Sequence, residues 1–283
     1  MTTGTLLISR PDGPGIVATV SGFLAEQGCN ILHADQYSDP DTGLFQQRIA
    51  FELGPDSPEH DDWSNAFTTL AAAQCFHWQV SWSDVPKRVA ILASKQDHCL
   101  WDLLIRHRSG ELPCDVVAVI SNHPEAGEVA DVFAVPFHHL PVTDTTRNEQ
   151  EAALLDVLGR ESVDLAVLAR YMQILSSGFI EQAPCPMINI HHSFLPAFSG
   201  ARPYHQARQR GVKFVGATAH AVTAELDAGP IIAQDVIRCT HQDTVDDLTR
   251  KGRDVERLVL ARAVRWHLED RVLLSDGRAV VFE

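Results

Sequence analysis

No run of about 18 apolar residues occurs anywhere in the 283-residue chain. The amino terminus, Met1-Thr-Thr-Gly-Thr-Leu-Leu-Ile-Ser-Arg10, also lacks a basic start followed by a long apolar segment. A cytoplasmic protein with no membrane partner is therefore expected. Positive charge is scarce: 23 Lys and Arg face 37 Asp and Glu, for a formal net charge of -14. A duplex-wrapping or polybasic surface needs a cationic face to meet phosphates, so nucleic acid is not expected as a partner either. Cysteine is sparse and scattered, at positions 29, 75, 99, 114, 185 and 239, with no CxxC pair and no short metal-ligand spacing. These read as reduced thiols.

The 14 histidines are the exception to this scarcity. Yet the adjacent pairs His138-His139 and His191-His192 point to opposite sides of a strand, so one ion cannot easily use both. No HExxH, HxH or acidic bridging motif appears, and no metal is expected.

What is present is ordinary globular material, 45% hydrophobic. Leu6-Leu7-Ile8 reads as a strand, broken by the turn formers of Arg10-Pro11-Asp12-Gly13-Pro14-Gly15. Ile16, Val20, Phe23 and Leu24 recur at helical spacing, and Gly28 supplies a stop. Strands follow over Ile31 to Tyr37 and Leu44 to Leu53, then a helix from Asp61 to Cys75 and a strand from Phe76 to Trp82. The order βαββαβ predicts a ferredoxin-like domain, two helices on one face of an antiparallel sheet, over residues 1–83.

Residues 84–87 are a polar, proline-containing linker, and residues 88–283 form the second domain. Here strands and helices alternate: Val89 to Ala93, Asp97 to Arg108, Val116 to Ser121, Glu125 to Phe133, Phe137 to Val142, Arg147 to Gly159, Leu165 to Ala169 and Met187 to Ile190. That alternation predicts an α/β, mostly parallel, Rossmann-like sheet with helices on both faces. Ligands in such sheets bind beyond the carboxyl ends of the strands. In Met187-Ile188-Asn189-Ile190-His191, Asn189 and His191 share one side of the strand at such an end. Farther on, Asp227-Ala-Gly-Pro230 forces a turn that can present Asp227 to the same cleft. The mixed charges of residues 246–256 read as a solvated helix face.

The first domain resembles the ACT family, through Asp12-Gly13-Pro14-Gly15-Ile16 at the turn into the first helix and Asn30-Ile31 opening the next strand. That resemblance implies an amino-acid effector, glycine or methionine, held near Asp12, Gly13, Gly15, Ile16 and Asn30. It also implies a homo-oligomer, because paired ACT-type domains join their sheets or stack helices between subunits.

The second domain resembles the folate-dependent formyltransferase family. The motif residues are Asn189-Ile190-His191, Ser193-Phe194-Leu195-Pro196, His220 and Asp227. The resemblance implies catalytic roles for Asn189, His191 and Asp227. It implies substrate contacts at the folate-contacting loop Arg170-Tyr171-Met172-Gln173-Ile174-Leu175, and at Thr218, His220 and Glu225. No cofactor is implied, since the folate is the substrate. Gly200 to His205 reads as a lid or substrate-facing loop, and Leu195-Pro196 as a bond of either isomer.

Two features point within that family to the hydrolytic branch, which gives the formyl group of 10-formyltetrahydrofolate to water. One is the ACT-type domain ahead of the catalytic one. The other is Ala93-Ser94-Lys95-Gln96-Asp97, which stands where an amine-transferring relative needs a glycine-rich phosphate loop. The remaining alternatives are transfer to an amine and a non-catalytic amino-acid or folate sensor.

Overall fold

The computed structural model describes residues 2–143, 145–196, 203–275 and 277–283. The chain forms two compact units. The first comprises residues 1–86 together with Asp270–Leu273 and Val281–Glu283. The second comprises Lys87–Glu269 and Leu274–Val280.

The expected second domain ran unbroken to the carboxyl terminus; in the structure the chain returns to the first unit. Asp270 explains the return, because its carboxylate accepts from Ser81 Oγ at 3.0 Å and its carbonyl from Arg48 Nε at 2.9 Å.

The first unit contains β1 (Thr3–Pro11), α1 (Ile16–Glu26), β2 (Cys29–Ser38), β3 (Leu44–Leu53), α2 (His60–Gln74) and β4 (His77–Trp82), with the strands antiparallel in the order β2-β3-β1-β4. Its core is aromatic. Trp63 and Phe51 stack at 5.1 Å, and Phe23 meets Phe67 edge-on at the same separation. Side chains of this size bury enough apolar area, roughly 150–250 Å² each, to stabilise a sheet of only four strands.

The second unit contains β5 (Lys87–Ala93), α3 (His98–Arg108), β6 (Cys114–Ser121), α4 (Ala126–Val132), β7 (Phe137–His139), α5 (Arg147–Arg160), β8 (Leu165–Ala169), α6 (Ser177–Gln182), β9 (Met187–His191), α7 (Pro203–Arg210), β10 (Phe214–Ala221), β11 (Ile231–Arg238) and α8 (Val245–Leu268). A short hairpin, β12 (Val272–Ser275) and β13 (Arg278–Val281), closes the chain.

The seven-stranded sheet has the order β11-β10-β9-β8-β5-β6-β7. Strands β5 to β9 are parallel, and β10 runs antiparallel to both neighbours. Every residue of β8 is buried, and so are Ile91 and Leu92 on opposite faces of β5. Such strands need cover on both sides, which is why they read as apolar runs rather than alternating ones. On one side α5 supplies Leu154, Val157 and Leu158. Helix α8 runs along β9, β10 and β11 and packs on α3. Its start is fixed by a capping box in which Thr244 accepts from the Asp247 amide and Asp247 accepts from that of Thr244.

Strand order reverses beside β5, whose neighbours are β6 and β8. The carboxyl ends of β8 and β9 flank that switch point, where an open α/β sheet leaves a crevice.

Candidate active site

Strand β9 ends in Asn189, Ile190 and His191, and its neighbour β10 places His220 opposite Asn189 in register. After β10 the chain turns back through Asp227, which adopts a left-handed φ of 55°. Gly229 makes that turn possible: a Cβ there would lie 1.8 Å from the Ala221 carbonyl oxygen, so only glycine lets the loop close on β10.

The turn brings Asp227 Oδ2 to 3.2 Å from His191 Nδ1 and Oδ1 to 3.6 Å from His220 Nε2. His191 donates through Nδ1, and its buried Nε2 has no hydrogen-bond partner among the described residues. His220 donates from Nδ1 to the Ala221 carbonyl at 2.9 Å, and its Nε2 lies 3.2 Å from Asn189 Nδ2. The amide retains a second hydrogen for another acceptor. The hydrogen bond from His191, and after it the interaction with His220, holds the Asp227 carboxyl well below the usual carboxylate range. Asp227 is therefore an anion at any physiological pH and a weak base.

These groups line a cleft of about 510 Å³, together with residues 170–175 and 222–226. Met172 and Ile174 are each more than half exposed within it and form an apolar platform. The 170–175 loop is tied down from two sides. Met172 N donates to Ser94 Oγ beyond β5, and Gln150 Nε2 of α5 donates to the Tyr171 hydroxyl. Just past the loop, Glu151 accepts from both the amide and the hydroxyl of Ser176, the residue that caps α6.

Residues 87–264 match the family model described as formyl transferase, and residues 4–60 match the ACT domain model. A formyltetrahydrofolate deformylase from Synechocystis is 52% identical over 280 residues, covering 99% of this chain and 98% of the relative. One from Bacillus subtilis is 46% identical over 99% of this chain and 93% of its own length. The chain belongs to the formyltetrahydrofolate deformylase family. A solved deformylase structure from Pseudomonas syringae superposes with a TM-score of 0.96 at 46% identity, covering 100% of this chain and 95% of that one. A glycinamide ribonucleotide transformylase from Symbiobacterium toebii superposes at 0.65 with 33% identity, over 70% of this chain and 95% of its own.

In this deformylase-family chain, all eight residues expected at the strand end and the folate loop line one cleft: Asn189, His191, Arg170, Tyr171, Met172, Gln173, Ile174 and Leu175. Asp227 does so too, with His220 and Glu225. Thr218 does not. It is fully buried, and its hydroxyl donates to the Ser193 carbonyl while accepting from Leu195 N and Gln234 Nε2. It supports the loop after β9 rather than contacting a ligand, and Gln234 shares that task through the Leu195 carbonyl. Leu195-Pro196 is cis. Of the expected lid, residues 200–202 lie outside the described residues; Tyr204 belongs to α7.

The solvated face expected over residues 246–256 is contradicted at its far end, where Glu256 is only 1% exposed. Its Oε2 lies 2.9 Å from His98 Nε2 and 3.4 Å from Arg170 Nε, and its Oε1 accepts from the Tyr204 hydroxyl at 2.8 Å. Burial pushes this carboxyl up, but the His98 hydrogen bond and the Arg170 charge outweigh it and bring it to about 2. A four-residue spacing of Leu248, Gly252 and Glu256, all buried, was the signal that could have marked this face as inward. His98, Cys99 and Glu256 present ligand atoms within 4.8 Å of one another. The oxygens of Glu256 are already engaged by two cationic or protic groups and a hydroxyl, a poor environment for a further cation.

His192 also lines the cleft, its ring 5.0 Å from that of His191. Burial foremost, then the charges of Arg170 and His191, lower it to about 4, so it is neutral at physiological pH. In the ACT-type unit, Gly15 has a φ of 87° at the start of α1, and Asp12 accepts from Gly13 N at 2.7 Å. Asn30 is exposed, whereas the Ile16 side chain is buried in the aromatic core and serves packing.

Proposed function

We propose that this chain hydrolyses 10-formyltetrahydrofolate to tetrahydrofolate and formate, with Asn189, His191 and Asp227 as the catalytic residues. The observation that carries the assignment is the Nε2 of His191, which no described residue engages, on a ring that lines the cleft while Asp227 holds the opposite ring nitrogen.

With its Nδ1 proton fixed on Asp227, the neutral imidazole takes a proton from water at Nε2 as the water oxygen bonds to the formyl carbon. Asn189 donates to the oxyanion that forms; a donor placed this way is worth roughly 10²–10³ in rate. When the carbon–N10 bond breaks, the imidazolium returns its proton to N10, and the formic acid released gives its hydroxyl proton to solvent and departs as formate. Asp227 stabilises the imidazolium, as an anion must that is too acidic to act as the base itself. Residues 170–175 receive the pterin end, with Met172 and Ile174 against its rings and backbone groups at its polar edge. His220 orients Asn189, and Glu225 contacts the substrate near the cleft rim.

The ACT-type unit makes an amino acid the effector, with glycine and methionine the first candidates at Asp12, Gly13, Gly15 and Asn30. A homo-oligomer is the expected assembly. The direct test supplies 10-formyltetrahydrofolate in buffer free of amines and follows formate. Release of one formate per tetrahydrofolate supports hydrolysis; a strict amine requirement refutes it. Repeating the assay with glycine and with methionine tests the regulatory assignment, which fails if neither changes the rate.

A further inference from the structure

We infer that Arg170, Glu256, Tyr204 and His192 form a wall that keeps acceptors larger than water away from the formyl carbon. The proposal rests on the hydrolytic reading and identifies what selects water. The question arises because the same catalytic domain superposes on a glycinamide ribonucleotide transformylase at 33% identity. The catalytic residues alone do not choose the acceptor.

The wall is a continuous chain of contacts. It starts in the cleft at His191, whose ring lies 5.0 Å from that of His192, and passes to Tyr204 at a ring separation of 6.4 Å. The Tyr204 hydroxyl donates to Glu256 Oε1, and Glu256 Oε2 faces Arg170 Nε at 3.4 Å. Arg170 then lines the cleft again, in the left-handed region at φ 63°. Both ends of the chain border the cleft, and its ion pair is nearly solvent-free: Glu256 is 1% and Arg170 7% exposed.

Packing along the chain is tight. A Cβ on Gly252 would lie 1.9 Å from the Tyr204 hydroxyl oxygen, so α8 admits the tyrosine only because that position is glycine. Arg170 is anchored a second time, by Nη2 donating to Gln96 Oε1 at 3.2 Å.

Stability alone does not account for such a cluster. A buried ion pair is commonly no better than apolar side chains of equal volume, because desolvation offsets the attraction. Selectivity built from steric exclusion does account for it. Arg170 at positive φ supports the same view. A non-glycine residue there carries backbone strain that glycine would relieve, and is retained with its guanidinium filling buried space.

The test measures partition rather than rate. Wild type, Arg170→Gly/Glu256→Gln and Tyr204→Ala are each incubated with 10-formyltetrahydrofolate and excess glycinamide, and N-formylglycinamide and formate are quantified by mass spectrometry. In the transfer product the amine nitrogen bonds to the formyl carbon, the carbon–N10 bond breaks, and N10 gains the proton that the amine loses. The double variant removes both charges together, so no unpaired ion is left buried, and Tyr204→Ala opens the wall without touching the ion pair.

Wild type is expected to yield formate alone, and at least one opened variant to raise the amide-to-formate ratio roughly tenfold or more, the scale on which small steric changes discriminate substrates. Arg170→Lys, which keeps a long cationic side chain, should stay with formate. The inference is overturned if folded, hydrolytically active variants partition as wild type does, or if wild type itself forms the amide at a comparable ratio. Failure of the hydrolytic reading would appear separately, as absence of formate from wild type without amine.

Discussion

Replacing Asp227 by Asn isolates the charge that the proposed mechanism needs. The substitution is nearly isosteric, and Asn tolerates the left-handed φ of 55° found there as well as Asp does. Its amide oxygen can still accept from His191 Nδ1, so the ring orientation should survive. What is lost is the anion that stabilises an imidazolium. At the observed 3.2 Å and an effective dielectric of about 20, Coulomb's law gives roughly 5 kcal/mol for the full ion pair. That is an upper value, because the carboxylate is 24% exposed and water screens part of it. A loss of roughly 3–5 kcal/mol corresponds to about 10²–10⁴ in rate, the usual range for acid–base assistance. Formate release should fall by that factor in single-turnover measurements with the folate saturating, while circular dichroism and the unfolding midpoint stay near wild type. A correctly folded Asp227→Asn protein within threefold of the wild-type rate would refute the role given to this carboxylate.

Three further outcomes follow from the geometry. Gly229→Ala forces a Cβ against the Ala221 carbonyl oxygen, a backbone atom that cannot rotate away. It should cost about 1–3 kcal/mol in urea titration and depress formate release further by displacing Asp227; unchanged activity would show that the turn does not set the site. Glu256→Ala leaves Arg170 buried without its counter-ion, and should destabilise the protein by roughly 3–5 kcal/mol. Because the Glu256 carboxyl sits at about 2, below its unfolded value, its contribution is full above roughly pH 4.5 and is lost as pH falls toward 2. The penalty should therefore shrink in acid, and a penalty independent of pH would contradict the ion-pair account. His267 is pushed down to about 4 by burial and then by the Lys87 ammonium, below its unfolded value near 6.5. Stability from this group is complete above the unfolded value and is lost as pH falls through the window down to about 4. A His267→Gln variant should lose less stability than wild type between pH 7 and pH 5 in denaturant titrations; parallel losses would exclude this histidine as a source of acid sensitivity.

The sequence by itself determined the order of the two domains and of nearly all helices and strands, and it placed Asn189, His191 and Asp227 at one cleft. Those features are written in local periodicity and turn chemistry. Ile16, Val20, Phe23 and Leu24 repeat at helical spacing, β5 and β8 are short apolar runs, and Asp227-Ala-Gly-Pro230 cannot continue a strand.

Tertiary structure decided what depends on residues far apart in the chain. Thr218 looked like a ligand contact beside His220, and it shares that side of β10, but its hydroxyl is taken up by the Ser193 carbonyl and Leu195 N of the loop after β9 and by Gln234 of β11. Glu256 sits in a charge-rich stretch that suits a solvated helix face, and only the packing of α8 on α3 and β9 buries it beside His98 and Arg170. The return of Asp270 to Arg48 and Ser81 likewise links positions more than 180 residues apart. Even the chemistry of Asp227 is a tertiary property: a lone aspartate is a modest base, and two histidines from separate strands make it a fixed anion instead.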